Sequence, residues 1–115
     1  MYFISEYPVV IKRQATCKSR DKVLAKDLTT ANECASRCHQ TYGCHFFIFE
    51  KPVRGGKCIW EKTTARDCPE GWVQDSYASF YDFYELKGIF RFIVKPLTRD
   101  YVFSRLIRMI VIQIN

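Results

Sequence analysis

Two periodicities divide the first 88 residues of this chain. The β-branched run at residues 9–11 predicts a strand, and Val23-Leu24-Ala25 predicts a second short one, with a basic loop around Cys17 between them. The period changes at Thr30-Ala31-Asn32-Glu33, which has the form of a capping box: a hydroxyl to accept an amide three residues on and a carboxylate to reach back. Ala31, Cys34, Ala35, Cys38 and Tyr42 then recur at helical spacing and share one face, and Gly43 suits the helix exit. Residues 44–50 (CHFFIFE) predict a strand buried on much of both faces. Pro52 ends it, Gly55-Gly56 turns the chain, and residues 57–62 return as an antiparallel partner. Residues 77–86 predict a last strand, with Ala78, Phe80, Tyr84 and Leu86 on one side and Tyr77, Ser79, Tyr81 and Glu85 on the other.

The pattern is poorer after Gly88. Residues 89–94 read as a short strand or apolar linker stopped by Pro96. From residue 99, Arg99, Arg105 and Arg108 lie near one helical face, while Val102, Phe103, Leu106, Ile107, Ile110 and Val111 occupy the others. This tail has the form of a basic amphipathic helix for a membrane surface. The alternatives are a helix packed on a partner, a carboxy-terminal strand over Ile110-Val111-Ile112, or a segment foreign to the domain. The run is too short and too charged to span a bilayer, which takes roughly 18 apolar residues.

Length and composition sharpen this outline. A chain of 115 residues holds one small domain, which excludes a multidomain enzyme, and its 16% aromatic content excludes a disordered chain. The net charge of +6 is unevenly placed. Residues 1–88 carry 13 bases against 11 acids, or +2, whereas residues 89–115 carry five bases and Asp100, or +4. The basic excess of the domain itself sits before the helix, in Lys12, Arg13, Lys18, Arg20, Lys22 and Lys26.

Six cysteines in so short a chain predict a disulfide framework in an oxidising compartment. Residues 1–13 lack a basic start and a cleavage site and make a poor secretory signal, so the expected context is a piece of a longer secreted or membrane-anchored protein. Fifteen pairings are open to six cysteines. Cys34 and Cys38, one turn apart on the inner helix face, are placed for one bond to each strand of the hairpin, and the offset of Cys44 from Cys58 argues against their joining each other. A competing reading makes the chain an intracellular zinc-binding interaction domain, with Cys34, Cys38, Cys44 and Cys58, or His39 and His45, as ligands. The spacing lacks the tight knuckles of zinc ribbons, so no metal or other cofactor is expected. Cys38-His39 and Cys44-His45 do not make a thiol–base pair, since neighbours on a strand point to opposite faces. With no phosphate loop or serine nucleophile motif either, no catalytic residue is assigned.

The stretch TTANECASRC, continuing through GCHFFIFE to KCIW and closing with FYEL, resembles the PAN/apple family over residues 17–86. The resemblance implies an α+β fold, a small disulfide-stapled domain with one α-helix packed on an antiparallel β-sheet. It divides the chain into a lead of residues 1–16 with a first strand, a module of residues 17–88 and a tail of residues 89–115. It also implies the bonds Cys34–Cys58 and Cys38–Cys44, with Cys17–Cys68 left to tie the ends. By the same resemblance the function is extracellular recognition of a protein or carbohydrate, without catalysis and without nucleic acid as partner. In growth-factor members of the family, basic residues before the helix and between its cysteines meet heparin-like glycans. Lys22, Lys26 and Arg37 match such positions, and Leu24, Asp27 and Gln40 do not. Lys18 and Arg20 extend the candidate site. The other candidate is a protein-binding surface of exposed aromatics, Tyr42, Trp72, Tyr77 and Tyr81.

Overall fold

A computed structural model describes the backbone of residues 2–92 and the side chains of residues 6–88. The chain divides into two units, and the one analysed below is Glu6–Lys87; Met1–Ser5 and Gly88–Asn115 belong to the other. Among the described residues, seven strands and one α-helix follow in order: β1 (Tyr2–Lys12), β2 (Thr16–Cys17), β3 (Asp21–Ala25), α1 (Ala31–His39), β4 (Phe46–Glu50), β5 (Cys58–Glu61), β6 (Trp72–Val73) and β7 (Tyr81–Phe92). Five of them form a sheet in the order β1-β7-β4-β5-β3, and β2 pairs with β6 in a separate ribbon. The expectations placed on residues 93–115, the amphipathic helix included, lie outside the described residues.

The central strand β4 has no exposed residue, and its alternation sorts two cores. Phe47 and Phe49 point toward α1, where they join Cys34, Ala35, Cys38, Cys44, Cys58 and Tyr84. Phe46 and Ile48 point the other way, to Ile59, Tyr81, Phe83 and the Cys17–Cys68 bond. Cross-strand aromatic pairs tie β4 to β7: Phe47 stacks on Tyr84 at 5.1 Å between centroids and Phe46 on Phe83 at 5.8 Å. One sheet is thus covered on one face by a helix and on the other by a disulfide-anchored loop.

The capping box forms as the sequence predicts. The Thr30 hydroxyl accepts the Glu33 amide at 3.2 Å, while Glu33 accepts from the Thr29 amide at 2.8 Å and the Thr30 amide at 3.3 Å. The Thr29 bonds hold the Glu33 carboxyl below the usual carboxylate range.

The helix, however, ends at His39 with Gln40 as its cap, three residues before Gly43. The Cys38–Cys44 bond explains the early stop. Six residues of continuous helix advance about 9 Å, beyond what a disulfide spans, and these two Cα atoms are 5.3 Å apart. The chain therefore folds back at once, and Tyr42 lies in the loop at 98% exposure instead of on the inner face.

A second departure concerns the last strand. Residues 77–80 form a 3₁₀ turn, Ala78–Phe80, and β7 starts at Tyr81. Asp75 causes this: its side chain accepts the Ala78 amide at 2.9 Å and its carbonyl the Ser79 amide at 3.1 Å, offering the backbone a turn in place of a ladder.

Three disulfides fasten these parts, Cys17–Cys68, Cys34–Cys58 and Cys38–Cys44, and no cysteine is free. These are the pairs that the family resemblance implies. With every sulfur in a bond, no thiolate remains for the zinc reading. The grouping of Cys17, Cys68 and Glu70, the sole metal-like cluster among the described residues, offers one carboxylate and two bonded sulfurs. At the hairpin turn, Gly56 has φ +60° and a Cβ there would collide with the Leu28 carbonyl oxygen. The turn needs glycine because the segment entering α1 lies against it, with the Leu28 amide donating to the Gly56 carbonyl at 3.1 Å.

A buried carboxyl lies where β3, β5 and the β2 ribbon meet. Glu61 is 1% exposed and opposite Asp21 in register; it accepts the Ser19 hydroxyl at 2.6 Å and the Cys17 amide at 3.3 Å. Burial, then the neighbouring Asp21 carboxyl, push Glu61 from 4.5 up to about 8.

Two predictions follow from this architecture. The proton held by Glu61 makes its contribution full below about pH 4.5, where folded and unfolded forms are both protonated, and that contribution is lost as pH rises through about 8. Glu61→Gln, which stays neutral and donates to Asp21, should be more stable than the parent at pH 8 and show a flatter stability profile between about pH 5 and 8; urea unfolding at several pH values measures both. Removing each disulfide by paired Cys→Ala changes should cost about 4, 3 and 2 kcal/mol for Cys17–Cys68, Cys34–Cys58 and Cys38–Cys44 in the chain-entropy account, the order of their sequence separations of 51, 24 and 6. Equilibrium denaturation of the three double variants checks that ranking.

Candidate functional site

Lys18, Arg20, Lys22, Lys26 and Arg37 are all exposed, and their positions follow from the strand and helix geometry. β3 is the edge of the sheet opposite β1. Lys22 stands in register with Trp60, which gives the two side chains the same face, the one that carries α1. A bulge between Val23 and Ala25 inserts Leu24, so Leu24 and Ala25 both pack toward the helix-side core before Lys26 leaves the strand. Lys18 and Arg20 lie in the turn from β2 to β3. The Lys18 amide donates to the Gly71 carbonyl at 2.9 Å, and the Arg20 carbonyl accepts the Lys62 amide at 2.8 Å.

Arg37 projects from α1. Asn32, Ser36 and His39 line the helix flank next to Glu6, Tyr7 and Pro8 of β1. Arg37 is two residues before His39, about 200° away around the helix axis, and so emerges on the opposite flank. With β1 and β3 at opposite edges of the sheet, that flank is the one facing β5 and β3. Lys22, Lys26 and Arg37 thus share one side of the domain, while Lys18 and Arg20 sit on the adjoining turn.

These five cations have no salt-bridge partner among the described residues. The ion pairs that do form lie on other residues, Arg13 with Asp82 at 2.9 Å, Arg66 with Glu85 at 2.9 Å, and His39 with Glu6, while Asp21, Asp27 and Glu33 are the acids set among these cations. The sequence reading missed two neighbours. Lys62 lies 4.6 Å from the Trp60 ring, and that ring packs beneath Gly43, so Lys22, Trp60 and Lys62 form one basic-aromatic strip along β3 and β5. Lys62 follows Trp60 by two residues, the spacing that puts both side chains on one strand face, and its amide donates to the Arg20 carbonyl on the β3 side.

The aromatic candidates separate. Tyr42 and Tyr77 are exposed at 98% and 58%. Trp72 is half-buried, edge-on to Phe83 at 4.9 Å with Lys12 over its ring at 5.5 Å. Tyr81, expected on the surface, is 1% exposed, because its side of β7, shared with Phe83, packs into the second core that covers the face away from α1. Burial and the Tyr77 hydroxyl 3.0 Å away push its phenol well above the ordinary range.

Since Lys22, Lys26 and Arg37 make no ion pair, a Lys22→Ala, Lys26→Ala, Arg37→Ala variant should keep its thermal midpoint within about 3 °C of the parent, as read by circular dichroism. A larger fall would mean that these side chains carry the fold.

Searches of curated proteins and of solved structures give no match. The description of one family, PAN domain, does match, over residues 9–87. That span takes in the helix, the hairpin, all three disulfides and most of the sheet. Three disulfides accord with an extracellular, oxidising setting, and no described helix is long and apolar enough to cross a membrane. With two thirds of its residues in the match and the helix stapled to the hairpin, the chain belongs to the PAN domain family, whose members are modules that bind proteins or carbohydrates.

Proposed function

We propose that this module is an extracellular recognition unit without catalytic activity, and that it binds sulfated or carboxylated glycans through Lys22, Lys26 and Arg37, with Lys18 and Arg20 extending the surface. The supporting observation is that these exposed cations have no ion pair among the described residues. An unpaired cation is ready to meet an external anion, because no internal pair has to be broken first. Two of the five lie on an extended edge strand and its exit, a form suited to a linear polyanion. In this reading residues 17–88 are the binding module and residues 1–16 lead into it through β1. A protein ligand anchored on Tyr42 is the second reading, favoured by the nearly complete exposure of that ring.

Retention on immobilised heparin separates the two. The parent should stay bound at about 0.15 M salt and elute as salt rises. Lys22→Ala, Lys26→Ala, Arg37→Ala should lower affinity roughly tenfold, the scale of three exposed ionic contacts, while Tyr42→Ala leaves it unchanged. Elution of the parent at low salt, with no effect of the triple change, would sink the glycan reading.

A further inference from the structure

The hairpin of β4 and β5 ends in the tip Lys51-Pro52-Val53-Arg54-Gly55-Gly56-Lys57, in which Pro52–Arg54 form one 3₁₀ turn. Three backbone bonds close it: the Arg54 amide donates to the Lys51 carbonyl at 2.8 Å, the Gly55 amide to the Pro52 carbonyl at 3.0 Å, and the Gly56 amide to the Lys51 carbonyl at 3.4 Å. None of the three turn residues is buried, and Val53 is 84% exposed. The Arg54 guanidinium rests 4.2 Å from the Phe80 ring centroid. Opening the tip therefore undoes one turn and no core packing, the condition under which an exposed loop is nicked by proteases.

The residues of the tip suit one class of enzyme. A trypsin-like serine protease takes an arginine or lysine side chain into a pocket with an acid at its base and cuts the bond that follows. Arg54 is followed by two glycines, which carry no side chain to obstruct the enzyme. The neighbouring bases are worse placed. Lys51 is followed by Pro52, whose ring blocks such cleavage, and Lys57 by buried, disulfide-bonded Cys58.

The fold around the tip is arranged to survive a cut between Arg54 and Gly55. The bonds Cys34–Cys58 and Cys17–Cys68 both cross from one side of that peptide to the other. The glycines are held independently of the turn, since the Gly55 carbonyl accepts the Asp27 amide at 2.9 Å and the Gly56 carbonyl the Leu28 amide at 3.1 Å. Beside them lies Glu50, 4% exposed, whose Oε1 atom would stand 3.0 Å from a Cβ on Gly55. Glu50 accepts the Lys57 amide at 3.3 Å, adjoins Tyr81 of β7, and has no ion pair among the described residues. Of the other charges at the tip, Lys51 donates to the Ser79 carbonyl at 3.2 Å, Arg54 covers Phe80, and Asp27 is exposed.

We propose that the Arg54–Gly55 bond is a processing site for an extracellular trypsin-like serine protease, and that the cut module stays folded with the new amino terminus of Gly55 paired to Glu50. Water adds across the peptide C–N bond, leaving a carboxylate on Arg54 and an ammonium on Gly55. The carboxylate goes with the freed turn. The ammonium forms beside a buried carboxyl group and stays there, because the strand entering α1 holds both glycines. Processing thus remodels the tip without releasing a fragment.

The test is limited digestion of the full chain with trypsin, read by mass spectrometry and amino-terminal sequencing with and without reductant; cuts within residues 89–115 are scored apart. Within residues 6–87 the first cut should expose Gly55-Gly56-Lys57, the two parts should separate only on reduction, and circular dichroism should show the cut chain folded. Arg54→Gln should abolish cleavage at this bond. In the cut protein, labelling of the Gly55 amine by an amine-reactive ester should have its pH midpoint about one unit above the ordinary α-amino range of about 7.7–8.0. Cut Glu50→Gln should return the midpoint to that range; the cut parent in urea supplies the same comparison should that variant not fold. A first cut elsewhere in residues 6–87, no cut there at all, or unfolding of the cut chain would overturn the proposal. An ordinary midpoint for Gly55 in the folded, cut parent would also overturn it, by removing the pairing with Glu50.

Discussion

The helix has two inward cysteines, and each is bonded to a different part of the hairpin system. Cys34 reaches Cys58 on the second hairpin strand, and Cys38 reaches Cys44 just before the first. A helix of nine residues is too short to persist by propensity in water. Its stability comes from the face it buries and from the covalent ties that hold that face against β4 and β5. The same two bonds set where α1 stops, how sharply the chain turns into β4, and hence which flank of the helix is turned toward each edge of the sheet. Placement of Arg37 on one side and of Asn32, Ser36 and His39 on the other descends from that restraint.

The charge distribution is a second consequence of the layering. Acids on the β7 side find partners: Asp82 takes Arg13 and Glu85 takes Arg66 and Lys87. Glu61, nearest the basic strand, is buried with its proton and contributes little negative field there. The β3 side is therefore more basic than its sequence, with Asp21 and Asp27 among the lysines, would indicate.

Much of this was legible in the sequence for local reasons. The capping box, the Gly55-Gly56 turn and the doubly buried FFIF strand are signalled by neighbouring residues, and each forms. Features created by distant contacts were not legible. The helix ends early because Cys38 bonds Cys44, a constraint that overrides the helical spacing reaching Tyr42. Tyr81 is buried because the Cys17–Cys68 loop and the β2 ribbon cover the face of β7 that it shares with Phe83. Of the candidate site, the residue types and their exposure could be read directly. The flank on which Arg37 emerges and the Glu6–His39 bond needed the third dimension.

The bulged edge strand β3 has one further implication. A sheet edge with free backbone groups invites pairing with other chains, and a bulge flanked by lysines is a common safeguard against it. Lys22 and Lys26 occupy that protective position around the bulge at Val23 and Ala25, where Val23 is 48% exposed. The side chains proposed above for an anionic partner are thus also those placed to guard the edge of the sheet. If the proposed binding role holds, recognition and edge protection fall on the same two lysines, and a change at either for one purpose bears on the other.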